Sequence, residues 1–175
     1  MKRILVVIAV LLLFCFHSKA QGVTKVWIVR HAEKITDDPK NTNPDLSETG
    51  FKRAEDLKNY LSNKKIDLIY STPYKRTEQT TAPLAKQKEI KIENYNPSKQ
   101  QDLISKIKAL KGNHDILIVG HSNTVLQIVR DFGVDIIPKD LTDNDYDFIF
   151  EVTLKNGKVK LNVKHFGEKH HSTEL

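Results

Sequence analysis

Three short, mostly apolar runs, Val26–Val29, Asp67–Tyr70 and Ile116–Val119, punctuate this chain, and each ends at a polar cluster. They do not alternate apolar with polar residues, the pattern expected of strands covered by helices on both faces. The stretches between them carry helical spacing. Leu46 to Ser62 places Phe51, Ala54, Leu57 and Leu61 on one side, with Ser47 as N-cap and Glu48 in the first turn. Arg76 to Lys88 reads as a helix that Pro83 should kink or break. Lys91-Ile92 reads as a brief strand. Ser98 to Lys111 aligns Leu103, Ile104, Ile107 and Leu110 and stops at Gly112, and Asn123 to Phe132 is a further helix ended by Gly133.

The pattern then changes. Phe148–Leu154 and Val159–Val163 flank Asn156-Gly157, a strong hairpin signal. The order of elements implies a three-layer α/β/α sandwich. Its sheet is mostly parallel, with an antiparallel C-terminal hairpin at the edge. No internal repeat, low-complexity tract or linker interrupts it.

Residues 1–20 stand apart. Lys2-Arg3 precedes the apolar stretch Ile4 to Phe16, and His17-Ser18-Lys19-Ala20 ends in small residues at the sites a signal peptidase reads. A signal peptide cleaved after Ala20 is expected, and with it a periplasmic or secreted address. The rival is a retained anchor, but the apolar stretch is shorter than the roughly 20 residues that span a bilayer. A lipoprotein at Cys15 is disfavoured because bulky Phe14 precedes it. Expected domains are therefore 1–20 (signal), 21–167 (one α/β domain) and 168–175 (a polar, frayed tail), with no stable membrane anchor after cleavage.

The same segment bears on charge and redox chemistry. The whole chain carries a net charge of +6, but residues 1–20 contribute Lys2, Arg3 and Lys19 and no acid. The remainder holds 25 basic and 22 acidic residues, interspersed, without the clustered stripe of a nucleic-acid footprint. The single cysteine, Cys15, leaves with the signal, which excludes disulfides and cysteine chemistry from the mature protein.

Chemistry concentrates after the strands. Arg30-His31 follows the first, Ser71 to Arg76 the second, and Gly120-His121-Ser122-Asn123-Thr124 the buried Ile116–Val119 run. Carboxyl ends of parallel strands share one sheet edge, where open α/β sheets bind ligands. Arg30, His31, Arg76 and His121 can therefore converge into a cationic pocket sized for a phosphoryl group. The start of the helix after His121 is expected to add backbone donors.

These segments carry a resemblance. Arg30-His31-Ala32-Glu33 is similar to the Arg-His-Gly-Glu signature of the histidine phosphatase (phosphoglycerate mutase-like) superfamily. Leu46-Ser47-Glu48-Thr49-Gly50 resembles its Leu-Ser-x-x-Gly helix start. Ser71 to Thr80 resembles its Ser-x-x-x-x-Arg-x-x-Gln-Thr segment, and Gly120 to Thr124 its second-histidine motif. Brevity likens the chain to the short single-domain phosphohistidine phosphatases, and it lacks the long insertions of a mutase or phytase cap.

The resemblance implies a phosphatase acting on a phosphate monoester or phosphoramidate, borne by a small molecule or a phosphoprotein. His31 would be the nucleophile, forming a phosphohistidine. Arg30, Arg76 and His121 would hold the phosphoryl oxygens, with Ser122 and Asn123 as further binding residues. No metal or other cofactor is implied. Two departures stand out. Ala32 replaces the usual glycine, and its methyl is expected to narrow the site slightly. The general acid is unassigned: Glu33 is a candidate, and Glu93 sits early for the role.

Several of these residues also have blander readings. Glu33 is as readily an ordinary loop carboxylate, and Ser122 and Asn123 can serve only as helix caps. Asp143 and Asp145 read as solvated, and His114, His165, His170 and His171 as surface residues. The non-catalytic alternative is a phosphate- or phosphoprotein-binding module on the same fold. A remote one is a serine hydrolase using Ser122, since Gly120 to Thr124 nearly matches the G-x-S-x-G elbow. His31-Ala32-Glu33 also matches the H-x-E fragment of zinc deaminases, but their paired cysteine ligands cannot exist here.

Overall fold

A computed structural model describes residues 22–138 and 140–175, so the expected signal segment lies outside the described residues. Six strands form one sheet: β1 (Thr24–Arg30), β2 (Leu68–Ser71), β3 (Ile92–Asn94), β4 (His114–Gly120), β5 (Phe148–Lys155) and β6 (Lys158–His165), in the order β3-β2-β4-β1-β5-β6. The first four are parallel, β5 runs antiparallel to β1, and β6 closes the edge as a hairpin with β5. Asn156 and Gly157 both take positive φ (51° and 73°), the geometry a two-residue hairpin turn of primed type requires.

Among the described residues, four α-helices cover the sheet: α1 (Glu48–Leu61), α2 (Lys75–Lys88), α3 (Gln100–Lys108) and α4 (Val125–Asp131). Strand alternation sends side chains into two separate cores. Trp27, Val29, Leu117 and Val119 meet Leu57, Leu61 and Leu84 of α1 and α2 on one face. Val26, Ile28, Ile116 and Ile118 meet Leu103, Ile104, Ile107, Leu126 and Val129 of α3 and α4 on the other. Truncating one fully buried leucine, such as Leu57, costs about 2–5 kcal/mol. The three-layer sandwich is thus the observed architecture.

Several local expectations are corrected. Helix α2 runs through Pro83. Proline withholds one N–H from the helix, but Thr77, Thr80, Thr81, Leu84 and Ala85 are buried along one face, and that packing outweighs the lost bond. Phe51 is 48% exposed, and the inward face of α1 instead carries Gly50 and Arg53 beside Ala54, Leu57 and Leu61. The expected helix from Ser98 opens as a 3-10 turn over Pro97–Lys99, and the helix after His121 shortens to seven residues. The tail does not fray. The His170 carbonyl accepts from Tyr146 N–H (2.9 Å), and Ser172 and Thr173 N–H groups donate to the buried Asp145 carboxylate (2.8 and 3.0 Å).

Gly50 shows why the helix start must lie where it does. A Cβ at that position would stand 2.0 Å from the Glu33 carbonyl oxygen, so only glycine lets α1 approach the loop after β1. Ser47 caps the same turn, accepting from Gly50 N–H (3.1 Å), while its own N–H donates to the Glu33 carbonyl (2.9 Å).

Candidate active site

The carboxyl ends of β1, β2 and β4 lie side by side, with Arg30 paired to Gly120 and Ser71 to Val119. The loops leaving them are tied together by backbone, the His31 N–H donating to the Gly120 carbonyl (2.9 Å). This brings the imidazoles of His31 and His121 edge to face, 5.4 Å between centroids, although ninety positions separate them.

The ring of His31 is oriented by its own neighbour. Nδ1 lies 2.7 Å from the Ala32 carbonyl oxygen. A carbonyl only accepts, so Nδ1 carries the proton and Nε2 keeps its lone pair. Burial holds the His31 pKa well below its ordinary value; the positive charges of Arg30 and Arg76 press it further down, against the opposing pull of the Ala32 carbonyl. Near neutral pH the ring is an uncharged base with its nucleophilic nitrogen free.

His121 is lowered to about 4 by burial and by the nearby Arg76 and Arg30. Its Nε2 lies 2.9 Å from the Thr72 hydroxyl, and Arg76 approaches Nδ1 at 3.4 Å. Guanidinium nitrogens only donate, so His121 accepts at Nδ1 and donates from Nε2 to Thr72. Arg76 lies over the Tyr74 ring (4.6 Å to the centroid), which in turn meets His121 edge-on (5.2 Å).

Arg30 is 3% exposed. Its outer nitrogens donate to the carbonyls of Thr142 (2.6 Å) and Asp145 (3.2 Å) and to the Tyr146 hydroxyl (3.2 Å), with the Tyr146 ring 4.0 Å beneath its guanidinium carbon. The Nε atoms of Arg30 and Arg76 are both buried without a hydrogen-bond partner. Two orphaned guanidinium donors beside a neutral nucleophilic imidazole are the donor set that an incoming oxyanion satisfies.

The structure therefore brings Arg30, His31, Arg76 and His121 together. It treats the other candidates differently. Glu33 is gripped by the buried Arg53, whose Nε lies 2.8 and 2.9 Å from its two oxygens, and by His170 Nδ1 at 2.8 Å. Burial pushes the Glu33 carboxyl up, but the bonds from Arg53 and His170 outweigh it and hold the group below its ordinary pKa. A carboxylate kept ionised in this way is unsuited to donating a proton. Asn123 is exposed, and Ser122 supplies its carbonyl to Leu141 N–H (3.1 Å). The N–H groups of Thr124 and Val125 are taken by the His121 carbonyl (2.9 and 3.0 Å). The described contacts of the two His121 ring nitrogens are to Thr72 and Arg76, and neither is to the Ser122 hydroxyl. Glu93 pairs with Lys106 (2.7 Å).

Ala32 is corrected as well. It is fully buried and its methyl clusters with Leu46 and Ala54, so it faces the protein and does not narrow the site. Asp145 is likewise buried, against the expectation of a solvated side chain, while the Asp143 side chain is exposed. Histidines 114, 165, 170 and 171 each bond a carboxylate.

Sequence reading missed Tyr146, Thr72, Tyr74 and Arg53. Only Thr72 and Tyr74 lay inside a recognised segment. The segment's Gln79 and Thr80 prove to be scaffolding. Gln79 Oε1 accepts from Leu46 N–H (2.8 Å), and the Thr80 hydroxyl accepts from Ala32 N–H (2.9 Å).

Fold and cluster together define an α/β domain that presents a nucleophilic imidazole and fixed cations at one sheet edge. Residues 26–96 match the sequence model of the histidine phosphatase superfamily (branch 1). That match takes in β1 to β3 with the segments that carry His31 and Arg76, and over this stretch the chain is similar to the histidine phosphatase superfamily. A 74-residue stretch is 38% identical to phosphoserine phosphatase 1 of Hydrogenobacter thermophilus, covering 40% of this chain and 35% of that protein, about a third of the relative's length. Among solved structures, the protein histidine phosphatase SixA complexed with tungstate superposes with a TM-score of 0.65 at 18% identity, over 81% of this chain and 96% of that one. A mycobacterial glucosyl-3-phosphoglycerate phosphatase gives 0.63 at 10% identity, over 82% and 98%. At such identities the two structures speak for the fold.

Proposed function

We propose that this protein is a phosphohydrolase that works through a covalent phosphohistidine on His31. The observation that carries the reading is the 2.7 Å contact between His31 Nδ1 and the Ala32 carbonyl, which leaves Nε2 as the free nucleophile among three cationic or donor side chains. In the first step the Nε2 lone pair attacks phosphorus, and the bond from phosphorus to the leaving oxygen or nitrogen breaks with its electron pair on the leaving atom. The Ala32 carbonyl, accepting from Nδ1–H, stabilises the positive charge that develops on the ring. Arg30 and Arg76 donate to the equatorial oxygens, where the electrostatic stabilisation of phosphoryl transfer is concentrated, and His121 joins them by taking a proton on Nδ1 as the phosphate dianion draws Arg76 away from it. In the second step water attacks phosphorus, the phosphorus–nitrogen bond breaks, and inorganic phosphate and neutral His31 are released. The chemistry on these residues requires no metal.

With Glu33 held ionised, the reading favours a leaving group that needs little protonation, such as a phosphoramidate nitrogen or an aryl oxide. The structural neighbour named as a protein histidine phosphatase agrees with that preference, whereas the relative named for phosphoserine, whose leaving group is an alkoxide, does not. The basic, apolar and small-residue order of residues 2–20 supports an extracytoplasmic address, with cleavage after Ala20. N-terminal sequencing of the protein recovered from its native compartment tests that assignment.

The deciding experiment is rapid quenching during turnover of an aryl phosphate. An acid-labile, base-stable phosphoenzyme is expected in the parent and absent from His31→Ala, which should retain part of its phosphate affinity. Parental turnover by His31→Ala would sink the nucleophile assignment. Phosphate binding without turnover in the parent would favour the non-catalytic binding module.

A further inference from the structure

We infer that Asp147, His165 and His171 form a binding site for a zinc-class divalent transition metal, separate from the phosphoryl chemistry on His31. Three independent parts of the fold deliver them. Asp147 immediately precedes β5, His165 ends β6, and the hairpin register pairs Phe148 with His165, so the two come together at one end of the ribbon. The tail then turns back. Phe166 N–H donates to the Asp147 carbonyl (2.9 Å) and Tyr146 N–H to the His170 carbonyl (2.9 Å), which delivers His171 to the same carboxylate.

The donor atoms converge. His171 Nδ1 lies 2.7 Å and His165 Nδ1 3.3 Å from the same Asp147 oxygen, Oδ2, and the three ligand atoms fall within 4.8 Å of one another. Tetrahedral zinc with bonds near 2.0–2.1 Å sets its ligand atoms about 3.3 Å apart, so small side-chain rotations suffice. Asp147 is 1% exposed, a poor place for a carboxylate whose only role is solubility. The imidazole rings lie 4.4 Å apart, and the Phe148 ring packs tilted against both (4.6 and 5.2 Å), which limits their alternatives. His165 is the exposed member, giving a metal its way in and a water its coordination position. Two imidazoles with one carboxylate suit zinc, cobalt or nickel, and not calcium or magnesium, which demand more oxygen ligands. On binding, each ring carries its proton on Nε2 and offers Nδ1 to the metal.

The consequence is structural. A metal here staples the tail to both strands of the hairpin. The residues next to two ligands, Tyr146 and His170, touch Arg30 and Glu33, so the staple braces one side of the catalytic cluster.

Equilibrium dialysis against zinc in phosphate-free buffer, with metal analysis and thermal melting, tests the site. The parent should retain one zinc per chain and melt higher with it. His165→Gln/His171→Gln should bind at least about a hundredfold more weakly, since even outer-sphere changes cost tenfold to a hundredfold, and should lose the zinc-dependent rise in melting temperature. No retained zinc in the parent, or unchanged affinity in the double variant, would overturn the proposal. Should the variant fail to fold, cobalt(II) added to the parent decides. Intense visible bands of low coordination support the site, whereas a spectrum of aquated cobalt removes it.

Discussion

The hydroxyl of Thr72 lies 2.9 Å from Nε2 of His121 and is itself fully buried. The same hydroxyl is 3.0 Å from Thr77 Oγ1, so the imidazole hangs from a chain of buried hydroxyls rooted in the first turn of α2. His121 is thereby held by its far nitrogen while its near one faces Arg76. Thr72→Val should keep the volume and remove the anchor. We expect kcat to fall by about tenfold to a hundredfold through misplacement, with KM changed much less. Thr72→Ser should restore most of the rate. Equal loss in both variants would mean that the methyl packing, and not the hydrogen bond, matters.

Arg76 faces His121 and leaves one buried nitrogen unpaired. Arg76→Ala should raise KM and lower kcat together, with kcat/KM down about a hundredfold or more, because the charge complements both ground and transition states. Arg76→Lys should recover only part of this, since an ammonium cannot reproduce the fork. Steady-state kinetics on an aryl phosphate checks both.

The pH dependence has a definite sign. Burial, with the charges of Arg30 and Arg76, lowers His31 and His121 below 6.5, the latter to about 4. Corrected for substrate ionisation, kcat/KM should show no break at 6.5, and its acid limb should lie well below it. Stability follows the same groups. Between 6.5 and the lowered values the unfolded chain binds more protons than the folded one, so stability rises with pH there and is lost as pH falls toward 4. Urea midpoints measured from pH 7 to pH 4 should decline across that window. A flat series would contradict the buried neutral imidazoles.

Arg53 and Glu33 form a buried pair, 3% and 10% exposed in their side chains. Arg53→Met should cost about 3–5 kcal/mol by stranding the carboxylate, while Glu33→Gln/Arg53→Met should recover much of that. Chemical denaturation measures both. Glu33→Gln alone should leave the alkaline limb of kcat/KM where it was. A displaced limb would return Glu33 to the role of proton donor.

Without proton donation from Glu33, rate should depend steeply on the leaving group. Across a series of aryl phosphates, log kcat should rise as the phenol pKa falls. A flat series would mean that protonation is supplied by another group or that product release limits turnover.

Much of this architecture was legible because local rules and global packing agree. The uninterrupted Ile116–Val119 run, Ser47 before α1 and Asn156-Gly157 each have one good structural outcome, and each was realised. Pro83 and Phe51 misled because both are local signals that packing overrides. The short segments around Arg30, Arg76 and His121 could be assembled from chain order alone, since parallel strands share their carboxyl edge.

The sequence by itself determined the layers, the strand direction and the four side chains that meet at that edge, because periodicity and the direction of parallel strands are local properties. Only the tertiary structure decided the partners of those side chains. Polar residues such as Thr142, Tyr146, Asp147 and His171 carry no periodic signal, and their meaning arises from the return of the tail onto the hairpin. That return turns Glu33 from a candidate acid into the partner of Arg53 and His170, and three separated residues into one convergent donor set.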